Sequence, residues 1–418
     1  MSRRIHELLA QATFERAAFV CLAGSIALAL LSIAASQILL AAAIGSCAWA
    51  HRRDPRDAVR LPAVLWPLLA LFLWTLAAAL VSYNVLLGLL IVKKFYLFLI
   101  LFLVPAVTAR AGRRLTIYRA VFATAAISAL AGVAQFAADP HRDALHRISG
   151  FMSQWMTYSG LLMLALVALG AYALVSGLRR SWWALPVGLF VALAIYLSQT
   201  RNAWMGATAG LAIVLLLLKR YRSVALLTAG LVVAYLASPA VIQQRFRAGF
   251  DLNDPNTRNR VELFETAGRL IRDNPWFGVG PKNVGVEALR YRGTQEYPDW
   301  MYQHLHNNFL QIAAERGIPG LGLWLWFIAR LGWDALSSFR RASRALAASG
   351  GTPARPAEDL IVATAALGGW VALLLAGLFE YNFGDSEVLT LFLFMMSAPY
   401  ADLGPKPAVP GAGGKDGP

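Results

Sequence analysis

The sequence predicts an all-α polytopic membrane protein with about twelve transmembrane helices and one large extramembrane loop containing short helices. Three observations predict it. Hydrophobic residues make up 58% and charged residues 15% of the 418 positions, with a mean hydropathy of +0.54, far from the average soluble domain. Apolar runs recur at about the 20 residues that a helix needs to cross the hydrocarbon core. Clusters of Arg and Lys bound most of those runs.

Taken in order, the expected spans are Arg16 to Leu31, Ser36 to Ala50, Leu61 to Ser82, Val85 to Thr108, Ala120 to Ala138 and Thr157 to Ser176. They continue with Trp183 to Gln199, Ala203 to Leu218, Val224 to Ser238, Ile318 to Leu336, Leu360 to Phe379 and Val388 to Ala401. The first two also fit a short hairpin or one long re-entrant element. This divides the chain into an N-terminal bundle of about nine spans (1–238), the large loop (239–317), about three C-terminal spans (318–403) and a tail (404–418). The tail is Pro, Gly and Ala with scattered charge, too poor in apolar surface to order, and is expected to be a disordered cytoplasmic end.

Basic residues orient the chain, because cytoplasmic loops collect Lys and Arg. With the N-terminus inside, the clusters Arg3–Arg4, Arg52–Arg53–Arg56, Arg110–Arg113–Arg114, Arg179–Arg180, Lys219–Arg220–Arg222 and Arg340–Arg341–Arg344 all fall inside, and both termini are cytoplasmic. The net charge of +15 is then mostly a topology signal and needs no nucleic-acid partner. The large loop and a smaller one, Asp139 to Met156, fall outside. The smaller loop carries His141, Arg142, His146 and Arg147, which would face the same space as the large loop. The only cysteines, Cys21 and Cys47, lie in the first two spans, so the outer loops hold no disulfide framework. The first apolar run is followed directly by another and by basic anchors, so it reads as a retained span, not a cleaved signal.

Candidate chemistry concentrates in the loop. Val261, Phe264, Ala267, Leu270 and Ile271 recur at helical spacing from Thr257 to Asp273, with Asn256 or Thr257 as cap, Pro275 beyond the end and an apolar face resting on the membrane domain. Arg258 and Arg260 in its first turn suit an anion such as phosphate, although they would equally point to water or pair with Glu262. Arg201, in SQTRNAW (Ser198–Trp204), sits between two apolar spans with almost no loop, where function is the default reading of a cation. Lys93 and Lys94 lie deeper still, and would pair with Glu380 or Asp385, face a water-filled cavity or touch a ligand. In HLHNNFL (His304–Leu310), His306 precedes Asn307 and a helical run, so its imidazole would stand at the water end of a helix as a general base. His304 and Tyr302 would support it, with Asn307, Arg147 and Lys282 around them. A zinc pair from His-x-His with Asp299 is the metal alternative; no fuller ligand pattern follows, so neither metal nor cofactor is expected.

The order SQTRNAW, NPWFGVGPKN (Asn274–Asn283) and LHNNFLQIAAERGIPG (Leu305–Gly320), on about a dozen spans with one big outer loop, resembles the O-antigen ligase superfamily. The resemblance covers about the last half of the chain; the first seven spans match in hydropathy alone. It implies a bacterial inner-membrane enzyme that moves O-antigen from undecaprenyl pyrophosphate to lipid A core at the periplasmic face. It further implies that His306 is the essential histidine and that Arg201 with Arg258 or Arg260 holds the donor's pyrophosphate. Gly278 and Gly280 read as turn glycines, and His304 has no assured counterpart in the family.

With pyrophosphate as leaving group, cations and one base suffice, so a single inverting, metal-independent displacement is expected. Glu380 or Asp385 would polarise the acceptor or pair with the lysines. An O-antigen polymerase and a protein O-oligosaccharyltransferase share the donor chemistry. A lipid-linked glycan flippase is the reading from another class, but neither repeat-related halves nor interrupted helices stand out in the sequence.

Overall fold

A computed structural model describes residues 2–53, 61–139, 147–240, 243–244, 247, 251, 253–293, 298–349 and 354–403. The expected tail (404–418) and His141, Arg142 and His146 lie outside them. Every regular element among the described residues is helical. In chain order these are α1 (Ser2–Leu28), α2 (Ile33–Arg53), α3 (Leu65–Leu80), α4 (Val85–Val92), α5 (Ile100–Val107), α6 (Arg113–Ala138), α7 (Trp155–Ser176), α8 (Ala184–Leu197), α9 (Arg201–Leu217) and α10 (Tyr221–Leu236). After them come α11 (Pro255–Asp273), α12 (Val284–Glu287), α13 (Asn308–Ala348), α14 (Ala354–Ala376) and α15 (Ser386–Met396).

Each expected span falls on helix. Five segments are long and apolar enough to cross a bilayer, namely Ile33–Ala50, Val85–Val107, Arg113–Ala138, Trp155–Ser176 and Arg355–Ala376. Helices α3, α8, α9, α10 and α15 are also apolar but shorter. The chain is therefore an all-α polytopic membrane protein. Its first two spans pair as a helical hairpin, α1 against α2. The fourth is not one helix: a 3₁₀ segment, Lys93–Leu99, separates α4 from α5. That tighter winding changes the directions in which Lys93 and Lys94 leave the backbone.

Close approach of backbones builds the centre of the bundle. Helix α7 is buried almost all round and packs on α9 and α14. Helix α9 offers Gly206 and Gly210, and α14 offers Gly368 and Ala372. A Cβ at Gly206 would stand 2.8 Å from the Ala372 carbonyl, and one at Gly210 would stand 2.9 Å from that of Gly368. Where lipid tails are as apolar as leucine, such small-residue contacts replace the hydrophobic effect as the source of helix association. At another edge of the bundle Glu358 accepts from the Gly112 amide (2.7 Å) and pairs with Arg114 (3.3 Å), tying the start of α6 to α14.

Helix α13 is broken at Gly317, whose φ of 70° and ψ of 179° only glycine adopts readily. The segment Asn274–Lys282 supplies what the break leaves unsatisfied. Val279 donates to the Ala314 carbonyl (2.9 Å), Gly280 to that of Glu315 (3.1 Å), and Ile318 to that of Pro275 (2.8 Å). Gly278 and Gly280, both at positive φ as expected of turn glycines, allow this approach. A Cβ at Gly278 would lie 2.4 Å from the Ala314 oxygen. The side chains complete the stitch: Arg316 donates to Glu315 (2.7 Å) and to Thr75 (3.1 Å), and Trp74 donates to the Arg316 carbonyl (2.8 Å). The short half-helix Asn308–Arg316 is thus anchored to α3 and to the loop at once.

The loop has a core of its own, separate from the bundle: Leu263, Ala267, Leu270, Val279, Val284, Ala288, Met301, Tyr302, Leu305 and Ala314. Each fully buried leucine here stabilises by about 1.5–3 kcal/mol. Helix α11 starts at Pro255 with Asp254 as cap, its carboxylate accepting from Thr257 N (3.3 Å), so neither Asn256 nor Thr257 is the cap. Its buried face is also rotated from the expected one. Val261 and Phe264 are exposed, whereas Glu262, Leu263, Thr266, Ala267 and Leu270 turn inward. Glu262 is the reason. Its Oε1 accepts from Thr266 (3.0 Å), Arg269 (3.1 Å) and the Gly293 amide (2.7 Å), a buried carboxylate that must face its donors.

Gly317→Ala is expected to cost about 1–3 kcal/mol from backbone conformation and more from its Cβ, which would meet the Trp276 carbonyl at 2.0 Å. The thermal midpoint of the purified protein in detergent checks this, with Gly322→Ala, which meets nothing within 4 Å, as the neutral comparison.

Candidate active site

The turn His304–Asn308 is fixed from both sides. Leu305 is buried in the loop core and its amide donates to Gln311 Oε1 (2.8 Å). Asn307 caps the half-helix by accepting from Leu310 N (3.0 Å), while its amide donates to the Leu378 carbonyl (2.9 Å). Asn308 is fully buried: its backbone donates to Gly377 O (2.7 Å), its side-chain amide to Asn382 (2.7 Å), and its oxygen accepts from Phe383 N (3.1 Å). The adjacent asparagines therefore clamp the histidine turn to the segment 377–383. His306 itself is held at a φ of 46°, a conformation that costs an L-residue about 1 kcal/mol or more.

That clamp delivers Glu380. His306 Nδ1 lies 3.0 Å from Glu380 Oε2 and His304 Nδ1 lies 3.8 Å from Oε1, with the two rings 4.0 Å apart. A carboxylate accepts only, so His306 donates through Nδ1, and in the neutral ring Nε2 is the nitrogen free to accept a proton. Burial alone would raise the Glu380 pKa. The hydrogen bond and charge of His306, then His304 and the Tyr381 amide, outweigh it and hold the carboxyl below its usual range. Burial, followed by the neighbouring His306, pushes His304 down to about 4, with Glu380 opposing. His304 is therefore neutral near pH 7.

The cations divide. Arg260 lies over the Phe379 ring at 5.6 Å, beside Glu380. Burial, then the nearby Arg201, draws its guanidinium below the usual range, and Glu380 pulls the other way. Arg201 opens α9 and is half-buried. Arg258 is exposed and reaches Asn253 (3.5 Å), so of the two loop arginines the structure brings Arg260, not Arg258, to the histidines. Neither arginine takes Glu262, which belongs to Arg269.

Other candidates are placed differently from expectation. Lys93 is exposed and Lys94 donates to the Gly384 carbonyl (2.9 Å); neither takes Glu380, which the histidines occupy. Asp385 accepts from Thr157 (2.9 Å). Arg147 lies over Trp155 at 5.0 Å. Tyr302 is fully buried behind the turn in the loop core, 3.5 Å from Glu262. Lys282 is exposed, with its amide donating to Glu315 (3.0 Å). Asp299 pairs with Arg292 (3.6 Å), so the alternative zinc set is not formed through it. A different trio exists: His304, His306 and Glu380 present ligand atoms within 4.8 Å of one another, compatible in kind with a divalent cation. The sequence reading missed Glu380 as the histidines' partner and Asn308 as the clamp. Both act across more than seventy residues, and only the paired Asn gave a local signal.

Burial, with the charge of Glu380 adding to it, pushes Asp385 up from 3.8 to about 7. Below about pH 4 both folded and unfolded chains carry it protonated. Between about pH 4 and 7 only the unfolded chain ionises, so stability falls as pH rises across that window and the full cost remains above it. Asp385→Asn, which can still accept from Thr157, should raise the thermal midpoint relative to wild type by a few degrees near pH 8 and by little near pH 4.

Among curated proteins none matches the chain. Residues 186–325 match the family model described as O-antigen ligase, a stretch that contains Arg201, Arg260, His304 and His306 and ends before Glu380. The histidine turn and the arginine pair both lie inside that match, which supports the O-antigen ligase superfamily for this chain.

Proposed function

We propose that the protein is an O-antigen ligase, an inverting glycosyltransferase that moves O-antigen glycan from undecaprenyl pyrophosphate to a sugar hydroxyl of lipid A core. The observation that carries this reading is the His306–Glu380 hydrogen bond of 3.0 Å set beside Arg260 and Arg201, within the matched region. In the reaction, an acceptor hydroxyl gives its proton to His306 Nε2 as its oxygen bonds to the anomeric carbon. The carbon–oxygen bond to pyrophosphate breaks on the opposite face, which inverts the centre. Glu380 fixes the ring tautomer and stabilises the imidazolium that forms. Arg201 and Arg260 stabilise the charge growing on the pyrophosphate, which the loss of water around Arg260 strengthens. His304, kept neutral, adds no competing positive charge beside the base.

The bilayer arrangement belongs to the same proposal. About twelve crossings put both termini in the cytoplasm and the loop core in the periplasm of an inner membrane. The basic clusters and the position of a helix at every expected span support it.

The test is transfer by purified protein in detergent, with undecaprenyl-pyrophosphate glycan and, in separate tubes, lipid A core, glycan alone or an acceptor peptide. Product with lipid A core alone is expected; product with glycan or with peptide would make the enzyme a polymerase or a protein glycosyltransferase. His306→Ala should abolish turnover, and Glu380→Gln should lower kcat by about 10²–10⁴-fold. Arg260→Ala should cost about 10²-fold or more, while Arg258→Ala stays near wild type. Excess chelator should leave the rate unchanged; a chelator-sensitive rate restored by one divalent ion would assign the His304–His306–Glu380 trio to a metal instead.

A further inference from the structure

A cavity of about 540 Å³ takes His304 into its lining. Its walls are largely apolar, with Leu71, Phe95, Phe98 and Trp324 among them, and they come from the same helices that form the bundle. Two cations are set into these walls. Lys94 leaves the 3₁₀ break and reaches the Gly384 carbonyl at 2.9 Å. Lys282 is exposed at the rim, on a backbone of φ 62° held by its amide's bond to Glu315. The third cation on the lining, Arg316, is neutralised by Glu315 at 2.7 Å. Asp385 and Glu387, which do not line the cavity, and Glu315, which does, attract Lys94.

His304 lines the same cavity, whereas among the described residues His306, Arg201 and Arg260 do not. The molecule therefore has two cationic places that meet at the histidine pair: arginines on the side of Phe379, and lysines over an apolar chamber on the side of Trp324. Apolar walls with ammonium groups near the opening fit one kind of occupant, an amphipathic lipid with a phosphorylated headgroup. Two lysines suit a phosphate as mobile point charges, without the planar fork by which an arginine pair grips a pyrophosphate.

We infer that this cavity seats the phosphorylated, acyl-chain-bearing part of the acceptor lipid, with Lys94 and Lys282 holding its phosphate. The inference rests on the transfer reaction proposed above, which needs a second substrate on the face of the base away from the donor arginines.

The experiment measures transfer by the full chain in detergent with intact lipid A core and with its enzymatically dephosphorylated form. Lys94→Gln with Lys282→Gln should raise the half-saturating concentration of intact acceptor by roughly 10- to 100-fold and leave that of the donor unchanged. Glutamine at 94 keeps an N–H for Gly384. Wild type should lose a similar factor on dephosphorylated acceptor, and the double variant should no longer distinguish the two forms. Lys93→Gln, on the exposed side of the same segment, should behave as wild type. Lys282→Gln alone, at an exposed position, carries the same test if the double variant does not fold. A shift in donor saturation, or full discrimination retained without the lysines, overturns the inference. If wild type transfers nothing, native mass spectrometry with intact lipid A core decides the cavity separately. Binding weakened by the lysine variants supports the cavity although the proposed reaction fails, and absence of binding to wild type sinks the cavity.

Discussion

The break in α13 at Gly317 is the constraint on which the rest depends. An interrupted helix leaves carbonyls and an amide that must be paired when they are buried, and here Pro275–Gly280 pairs them with its own backbone. The stretches Asn274–Asn283 and Leu305–Gly320, far apart in sequence, are therefore one structural unit. Because Trp74 and Thr75 also bind Arg316, that unit is welded to α3. The half-helix Asn308–Arg316 then has a fixed direction, and the histidine turn at its start inherits it. Everything chemical in the site is aimed by backbone geometry before any side chain is chosen.

The site is a sharing of one carboxylate. Glu380 meets two imidazoles through Nδ1, and only His306 is close enough to hold a full hydrogen bond. The carboxylate selects one ring as the oriented base, while burial and the neighbouring His306 keep the other neutral. Arginines nearby would otherwise compete for Glu380, but Arg260 is spread over Phe379 at 5.6 Å and remains available to an anionic substrate.

Much of this was legible in the sequence, and the limits have physical causes. Apolar length and basic flanks located a helix at every expected span, because the bilayer penalises any other pattern. The histidine turn and Arg201 stood out because charged or polar groups at the edge of hydrocarbon need a reason. The choice between Arg258 and Arg260 was not legible. Two residues on a helix differ by about 200° in direction, so the choice depends on helical phase, which the Asp254 cap and buried Glu262 set against the apolar pattern. Glu380 was read as polarising the acceptor or pairing with lysines because sequence offers no way to see the fold of 377–383 onto Asn308. Lys93 and Lys94 were indistinguishable until the 3₁₀ winding separated them, one outward and one to the Gly384 carbonyl.

The Asn307–Asn308 clamp has a consequence for biogenesis. His306 is translated more than seventy residues before Glu380, with the hydrophobic segment Arg355–Ala376 between them. A nascent chain inserted as far as α13 holds its base and its arginines without the carboxylate that sets the imidazole. The clamp closes only when α14 has threaded and the segment behind it has returned to Asn308. The His306–Glu380 pair is thereby completed only when insertion is all but complete, so a stalled or truncated chain lacks it.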